Sequence, residues 1–277
     1  MATVGAPELP GRVAATDRAG WIEALGRAGL VAKGASYVLV GFLALELALG
    51  HGGRATSRQG ALATIASHGW GKVVLVALAL GFAAYALWRF AETIWAEEED
   101  AFLKRTGKRL GALGRALIYA GLTYSAFRIA FGSGSGQSQN AKAHQATATA
   151  LSWQYGTWIV GIAGGCLLAA GLYNAYRALT KKFTKRWNVE RMGEAPRRLG
   201  ERTGVVGLLA RGVVFGLIGA FVIKAALEYD PKQAIGLDGA LQKLAGEAYG
   251  AWLLGLTAAG LVAYAIFCFV EARYRRV

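Results

Sequence analysis

Apolar residues along this chain fall into long uninterrupted runs, and the polar residues gather between them. Six windows are long enough to cross a bilayer as helices, which takes about 20 residues each. None of the runs shows the period-two alternation of membrane β-strands. The pattern predicts an all-α, polytopic membrane protein with six transmembrane helices near residues 28–50, 70–94, 110–132, 155–179, 204–228 and 249–271.

A repeated pattern opens three of these runs. The pattern is a glycine, three small or apolar residues, a base, a small residue, two further residues and an aromatic. It occurs at Gly29–Tyr37, Gly111–Tyr119 and Gly207–Phe215. Self-similarity at long spacing indicates tandem structural units. Each unit combines an odd helix, an outer loop and a returning even helix, which predicts three parallel two-helix repeats in a pseudo-threefold arrangement.

The repeats divide the chain into segments. Residues 1–18 lack a continuous apolar core, which predicts a disordered cytoplasmic tail and no signal peptide. Trp21–Arg27 is expected to form an amphipathic lead-in at the interface. The predicted boundaries are 1–24 for the tail and lead-in, 25–96 for repeat 1, 97–108 for a linker, 109–180 for repeat 2, 181–203 for a basic linker and 204–277 for repeat 3.

The outer loops contain a second repeated element. Residues 60–66, 147–151 and 239–245 predict short amphipathic helices on the outer interface. An aromatic–glycine step follows each of them and places an aromatic ring where it suits the headgroup region. These steps are Trp70-Gly71, Tyr155-Gly156 and Tyr249-Gly250.

The even helices share a small residue, a tyrosine four positions later and a further aromatic three positions after that. We interpret the tyrosines as core packing and not as a cofactor site. Glycine pairs such as Gly161/Gly165 and Gly212/Gly216 favour close packing within the bundle over a dedicated dimer motif. The three copies are Gly81, Tyr85 and Trp88; Ala169, Tyr173 and Tyr176; and Gly260, Tyr264 and Phe267.

Composition and charge agree with a membrane protein. Apolar residues make up 55% of the chain and charged residues only 17%, below the roughly 25% of soluble domains. A net charge of +14 is typical of nucleic-acid binding, but these bases sit mostly in the connections. One side of the predicted membrane carries 18 of them and the other six. The positive-inside rule therefore predicts cytoplasmic termini and no nucleic-acid partner, and the basic connection 180–203 is expected to bind anionic lipids.

These motifs together resemble a bacterial membrane family known as domain-of-unknown-function family 1206, whose two-helix unit commonly occurs in three tandem copies. The resemblance spans residues 25 to 277. It implies a bacterial inner membrane and brings no established activity or catalytic residues. In the second copy, Ala116 replaces the glycine after the base. The matching segments are Ala210–Phe215, Gly239–Leu241, Tyr249–Leu254 and Gly260–Tyr264.

A first column of bases repeats about one turn inside the cytoplasmic end of each odd helix, at Lys33, Arg115 and Arg211. Ionisable residues inside spans are functional candidates. One interpretation is a ring of bases that attracts an anionic solute or a lipid headgroup; the simpler one is snorkelling or ion pairing. Glu92 predicts an ion pair with Lys33 in repeat 1. Glu271 predicts one with Arg211 in repeat 3.

A second column lies 13 residues further along the odd helices, at Glu46, Arg128 and Lys224. The two interpretations are a charge cluster inside the bundle, which gates a pathway, and snorkelling near the outer helix ends. Thirteen residues turn a helix about 220° beyond three full turns, so the two columns cannot both face one axis.

Other chemistry-bearing residues give no site. His51, His68 and His144 fall in outer loops without ligand spacing, and Cys166 and Cys268 lie in apolar runs and are interpreted as small buried residues. The chain also lacks phosphate-loop, zinc-protease and nucleophile-elbow motifs. The sequence predicts no catalytic residue, no cofactor and no metal.

Three classes of function remain. The first is a non-catalytic scaffold or accessory subunit that binds another membrane protein, favoured by small loops and the lack of a catalytic constellation. The second is a small-solute or ion transporter with a path near the charged columns, although all four prolines fall outside the predicted spans and broken helices often build transporter sites. An integral-membrane enzyme is the least favoured.

Overall fold

A computed structural model describes residues 10–50, 69–94, 102–132 and 139–275, and this part of the chain is all α-helical apart from short turns. The predicted fold class is confirmed at this level. Short 3₁₀ turns occupy Lys182–Arg186, Val189–Arg191 and Pro231–Gln233. The α-helices are α1 (Pro10–Ala48), α2 (Gly71–Ile94), α3 (Phe102–Ala130), α4 (Gln139–Leu151), α5 (Gly156–Leu179), α6 (Glu194–Leu227), α7 (Leu237–Ala245) and α8 (Gly250–Tyr274).

Five helices in the described residues are long and apolar enough to cross a membrane. They are α1 from Gly20 onward, α2, α5, α6 and α8. Helix α3 is not among them, although it contains the predicted third span. Its apolar part is diluted by glycines, hydroxyl-bearing side chains and the two bases Arg115 and Arg128.

The starts of α1 and α3 differ from the sequence-based expectation. Helix α1 begins at Pro10, so the prediction of a disordered tail is wrong for residues 10–18. Proline suits the first helical position because its fixed φ is helical and its missing N–H needs no partner there. Trp21–Arg27 continues the same helix and forms no separate lead-in. Helix α3 begins at Phe102, inside the predicted linker.

The outer connections of repeats 2 and 3 each contain the predicted short helix. Helix α4 includes residues 147–151 and α7 includes 239–245, whereas residues 60–66 lie outside the described part of the chain. Each aromatic–glycine step then starts a long helix. A Cβ atom on Gly156 would overlap the Ala150 carbonyl, and one on Gly250 would overlap that of Ala245. Only glycine allows the chain to turn this closely.

The long helices pack side by side in the order α3, α2, α1, α8, α6, α5. Three contacts join different repeats: α1 with α8, α2 with α3, and α5 with α6. Two join the helices of one repeat: α1 with α2 in repeat 1, and α6 with α8 in repeat 3. The corresponding contact in repeat 2, between α3 and α5, is not among the helix packings of the described residues.

Glycines of the repeated pattern set the close approach within repeats 1 and 3. A Cβ on Gly29 would lie 2.6 Å from the Tyr85 Cα, and one on Gly207 would lie 2.5 Å from the Tyr264 Cα. Each odd helix therefore rests on the backbone of the even helix at its repeated tyrosine. In repeat 2, a Cβ on Gly111 would meet only the side chain of Arg115, at 3.6 Å.

A second set of glycines joins repeats 2 and 3 through α5 and α6. A Cβ on Gly171 would lie 2.8 Å from the Gly212 carbonyl oxygen, and one on Gly219 would lie 2.5 Å from the Leu168 nitrogen. Packing within the bundle thus explains Gly212. The predicted Gly161/Gly165 pair does not make such contacts, because Gly164 faces α6 in its place.

The basic connection between α5 and α6 folds against the end of α8. The Phe183 ring lies 5.2 Å from that of Phe267, and the Asn188 N–H donates to the Tyr274 carbonyl at 2.8 Å. Phe183 and Trp187 are fully buried. These contacts hold the connection in place and leave bases such as Lys185 and Arg191 exposed.

We expect Gly207→Ala to destabilise the protein, because its new methyl group would overlap the Tyr264 backbone. Overpacking of this kind costs about 1–3 kcal/mol. The matched control is Gly111→Ala, which is at the same position of repeat 2. Thermal unfolding in detergent measures both, and only Gly207→Ala should lower Tm. An equal loss in both variants would show that α3 and α5 pack as tightly as the other repeats.

Candidate functional site

Lys33 is buried between repeats 1 and 3. The residue is 8% exposed, and its Nζ lies 5.6 Å from the ring centre of Tyr85 and 5.1 Å from that of Tyr264. Tyr85 belongs to the even helix of the same repeat and Tyr264 to that of repeat 3. The ammonium group therefore sits between aromatic faces, where a cation is attracted by the ring quadrupole.

Arg211 occupies the equivalent position of repeat 3. Its guanidinium donates to the Tyr264 hydroxyl at 2.6 Å. Its Cζ lies 4.5 Å from the centre of the Tyr264 ring, 5.1 Å from that of Phe215 and 5.6 Å from that of Tyr37. Lys33 and Arg211 thus share the ring of Tyr264.

Tyrosine pairs join the repeats around these two cations. The rings of Tyr37 and Tyr264 are 4.7 Å apart, and those of Tyr85 and Tyr119 are 4.2 Å apart. All four tyrosines are buried, which confirms the predicted core packing for Tyr85 and Tyr264, whereas the same prediction is wrong for exposed Tyr173. We call this set the cation–tyrosine cluster: Lys33, Arg211, Tyr37, Tyr85, Tyr119 and Tyr264.

The two predicted ion pairs are wrong. Glu92 pairs with Arg89, three residues earlier on α2, and Arg89 also donates to the Tyr85 hydroxyl at 2.9 and 3.0 Å. Glu271 pairs with Arg275, four residues later and directly after the last residue of α8, at 3.8 Å. Neighbours three or four residues apart share a helix face, and this spacing is the sequence signal that could have identified Arg89 and Arg275 as the partners.

Lys33 and Arg211 have no carboxylate within 4.0 Å among the described residues. The contacts that they do have are modest in energy, since a cation–aromatic interaction contributes about 0.5–2 kcal/mol. Removing a charge from water costs several kcal/mol even after relaxation. Aromatic contacts alone therefore do not offset the removal of buried Lys33 and partly buried Arg211 from water.

The third base of the first column differs from the other two. Arg115 lies on α3, is exposed and takes no part in the contacts around Tyr264. The predicted ring of three equivalent bases is therefore reduced to two members, buried Lys33 and partly buried Arg211. Tyr119, one turn beyond Arg115, still reaches the cluster and is close enough to interact electrostatically with Arg211.

The second column does not form a charge cluster. Lys224 is exposed and pairs with Glu228 of its own helix at 3.7 Å. Arg128 is exposed too, with its Cζ 5.7 Å from the ring centre of Tyr124, and Glu46 is half-buried on α1. Within the described residues these three side chains form no ion pair with one another.

Helix α5 exposes a face that is buried in the other two repeats. Tyr173 is 60% exposed, whereas its equivalents Tyr85 and Tyr264 are 1% and 2% exposed. Cys166 is exposed as well, so the prediction that it is buried is wrong, while Cys268 is buried as predicted. The open face of repeat 2 consists of Cys166, Ala169, Tyr173 and Tyr176 on α5.

Metal ligation has no support from the described residues. No group of three or more His, Cys, Asp or Glu side chains in that part of the chain could hold a metal ion. His144 lies on α4, and His51 and His68 fall outside the described residues.

The apolar helices and the tandem repeats define a multi-pass membrane protein built from two-helix units. The chain belongs to the family Domain of Unknown Function (DUF1206), which matches residues 28–96, 110–181 and 206–275. This confirms the resemblance and the three tandem repeats. The chain is also 29% identical over 258 residues to the Uncharacterized protein YxxB of Bacillus subtilis (strain 168), covering 93% of this chain and 92% of the relative. No solved structure matches the chain.

Tyr264→Phe should lower the free energy of unfolding, because it removes the hydroxyl that accepts from partly buried Arg211. A hydrogen bond to a charged group contributes about 1.5–3 kcal/mol. The control is Tyr173→Phe, the exposed equivalent in repeat 2, which should change stability little. Unfolding in detergent by a denaturing surfactant measures both. Equal effects of the two variants would contradict a special role for the Arg211–Tyr264 contact.

Proposed function

We propose that this chain is a six-span protein of the bacterial inner membrane that acts as a non-catalytic scaffold or accessory subunit. It binds a transmembrane helix of another membrane protein on the open face of repeat 2. The single observation that carries the proposal is the exposure of this face, since the same positions are covered by a helix in repeats 1 and 3.

Complementary small residues support a helix as the occupant of the open face. In repeat 1 the Ala32 methyl group fills the space over Gly81, and in repeat 3 the Ala210 methyl group fills that over Gly260. The open face carries Ala169 at the glycine position. A glycine or alanine on an incoming helix would allow the same close approach, as is common between helices in lipid.

The six-span topology rests on treating α3 as a membrane helix. Helix α3 is 29 residues long and packs along α2. Its two bases fall near the ends of its apolar part, where arginine side chains can snorkel to the interface. The excess of bases on one side of the repeats supports cytoplasmic termini, and the relative in Bacillus subtilis supports a bacterial membrane.

A small-solute or ion transporter is the second candidate. The observation in its favour is the pair of cations Lys33, which is buried, and Arg211, which is partly buried; neither has a carboxylate partner in the described residues. The dispersal of Glu46, Arg128 and Lys224 weighs against a charged path along the odd helices.

We expect a photoreactive amino acid at Tyr173 to crosslink to another membrane protein in native membranes. Its side chain projects from the open face, so a bound helix would lie within reach. The matched control is Leu87, which is 57% exposed on α2 and lies two residues from the equivalent tyrosine. Gel electrophoresis and mass spectrometry of the adducts give the readout.

A discrete heavier product from position 173 and none from position 87 would support the proposal. A crosslink from position 173 to α3 of the same chain would show that repeat 2 closes on itself, and would contradict it. The same holds if both positions give only lipid adducts.

The basic connection binds anionic lipids in this proposal. Lys185 and Arg191 are exposed while Phe183 and Trp187 hold the segment against α8. Each base near an anionic surface contributes about 1 kcal/mol.

Replacing Lys185 and Arg191 together by glutamine should reduce the phosphatidylglycerol that the purified protein retains in native mass spectrometry. The two lost charges correspond to roughly tenfold weaker binding or more. A variant with Lys232→Gln and Lys243→Gln, on the opposite side, is the control and should retain lipid like the wild type. Equal retention in all three proteins would refute lipid binding by this connection.

A further inference from the structure

We infer that the cation–tyrosine cluster binds an oxyanion of the phosphate class between Lys33 and Arg211. The source of that phosphate is either an anionic phospholipid headgroup or free phosphate. The site lies between repeats 1 and 3, and the argument for it does not use the scaffold proposal, although its route of access passes beside the open face of repeat 2.

The charge balance of the cluster calls for an anion. Two of the buried cations around it, Arg89 and Arg275, have carboxylate partners three or four residues away. Lys33 and Arg211 do not, within the described residues. Both lie against the ring of Tyr264, so their mutual repulsion adds to the cost of burial. An anion between them would remove both penalties.

Unused hydrogen-bond donors are present at the same place. The Nε of Arg211 is buried and has no partner among the described residues. The Tyr264 hydroxyl accepts from Arg211 at 2.6 Å, and its own proton can be donated either to the neighbouring Cys268 thiol or to a ligand, since a phenol is donor and acceptor at once. The Lys33 ammonium has three N–H donors and lies against two aromatic rings. A ligand with several oxygen atoms can accept from all three groups.

Repeat 2 is the side from which a ligand would reach the cluster in this inference. Tyr119 on α3 adjoins Tyr85 and is close enough to interact electrostatically with Arg211. The pair α3 and α5 is not among the helix packings of the described residues, and in this inference the ligand approaches Tyr119 between these two helices. A headgroup can enter sideways there without crossing the bilayer.

The test uses the full-length protein in neutral detergent, titrated separately with short-chain phosphatidylglycerol and with inorganic phosphate while Tm is followed. Lys33→Met should weaken the stabilising effect about tenfold or more, and Lys33→Arg should restore it. Without either anion, Lys33→Met should be at least as stable as the wild type, because it removes an uncompensated charge. Lys224→Met is the control, since it removes an equal charge from an exposed site.

The outcomes separate the sources of the anion. Stabilisation by phosphatidylglycerol alone identifies a lipid headgroup, and stabilisation by phosphate as well identifies the free anion; both support the site. If Lys33→Met does not fold, Tyr264→Phe keeps both cations and should still bind the effective probe several-fold more weakly. The inference is overturned if the wild type responds to neither probe, or if the cluster variants respond as strongly as the wild type and Lys224→Met.

Discussion

Close contact between a glycine of the odd helix and the backbone of a tyrosine on the even helix is the constraint on which this structure depends. At Gly29 and Gly207 no side chain fits between the helices. The odd helix therefore rests directly on Tyr85 or Tyr264, and the base one turn later is brought against the tyrosine ring. The hydrophobic effect does not bring helices together in lipid, because lipid tails are as apolar as the helix surfaces. Close packing of one backbone on another is therefore a main source of helix association. The same contact that holds a repeat together also buries its cation.

Repeat 2 keeps this pattern in sequence and departs from it in structure. Gly111 and Arg115 are present on α3, and Tyr173 is present on α5, yet α3 packs on α2 and α5 packs on α6. The contacts between repeats are thus complete while one contact within a repeat is missing from the described structure. The open face of repeat 2 is therefore a surface on which another helix can pack, at a defined place in the row of helices. This is why a binding role fits the architecture better than a catalytic one.

The carboxylates near the cluster pair with bases close to them in sequence, and two cations are left without a carboxylate partner in the described residues. Carboxylates near the cluster are taken by bases three or four residues away, because such neighbours meet without any helix movement. Lys33 and Arg211 are left with aromatic partners and a phenol hydroxyl. Their burial is therefore a property of the assembled repeats and gives the molecule its most unusual chemical feature.

Periodicity alone determined the helices, the three repeats, the family and the glycine and tyrosine positions, since these depend on runs of apolar residues and on spacing along one helix. It did not reveal that α1 starts at Pro10, because the polar residues 10–18 carry no apolar signal that marks a helix. Only the tertiary structure decided that Lys33 and Arg211 lie against tyrosine rings, because the rings of Tyr85 and Tyr264 come from helices that are far away in sequence. It also decided that Cys166 and Tyr173 are exposed. Equivalent residues in a repeat share a sequence pattern, but their burial depends on whether a neighbouring helix covers them, and that neighbour is far away in sequence.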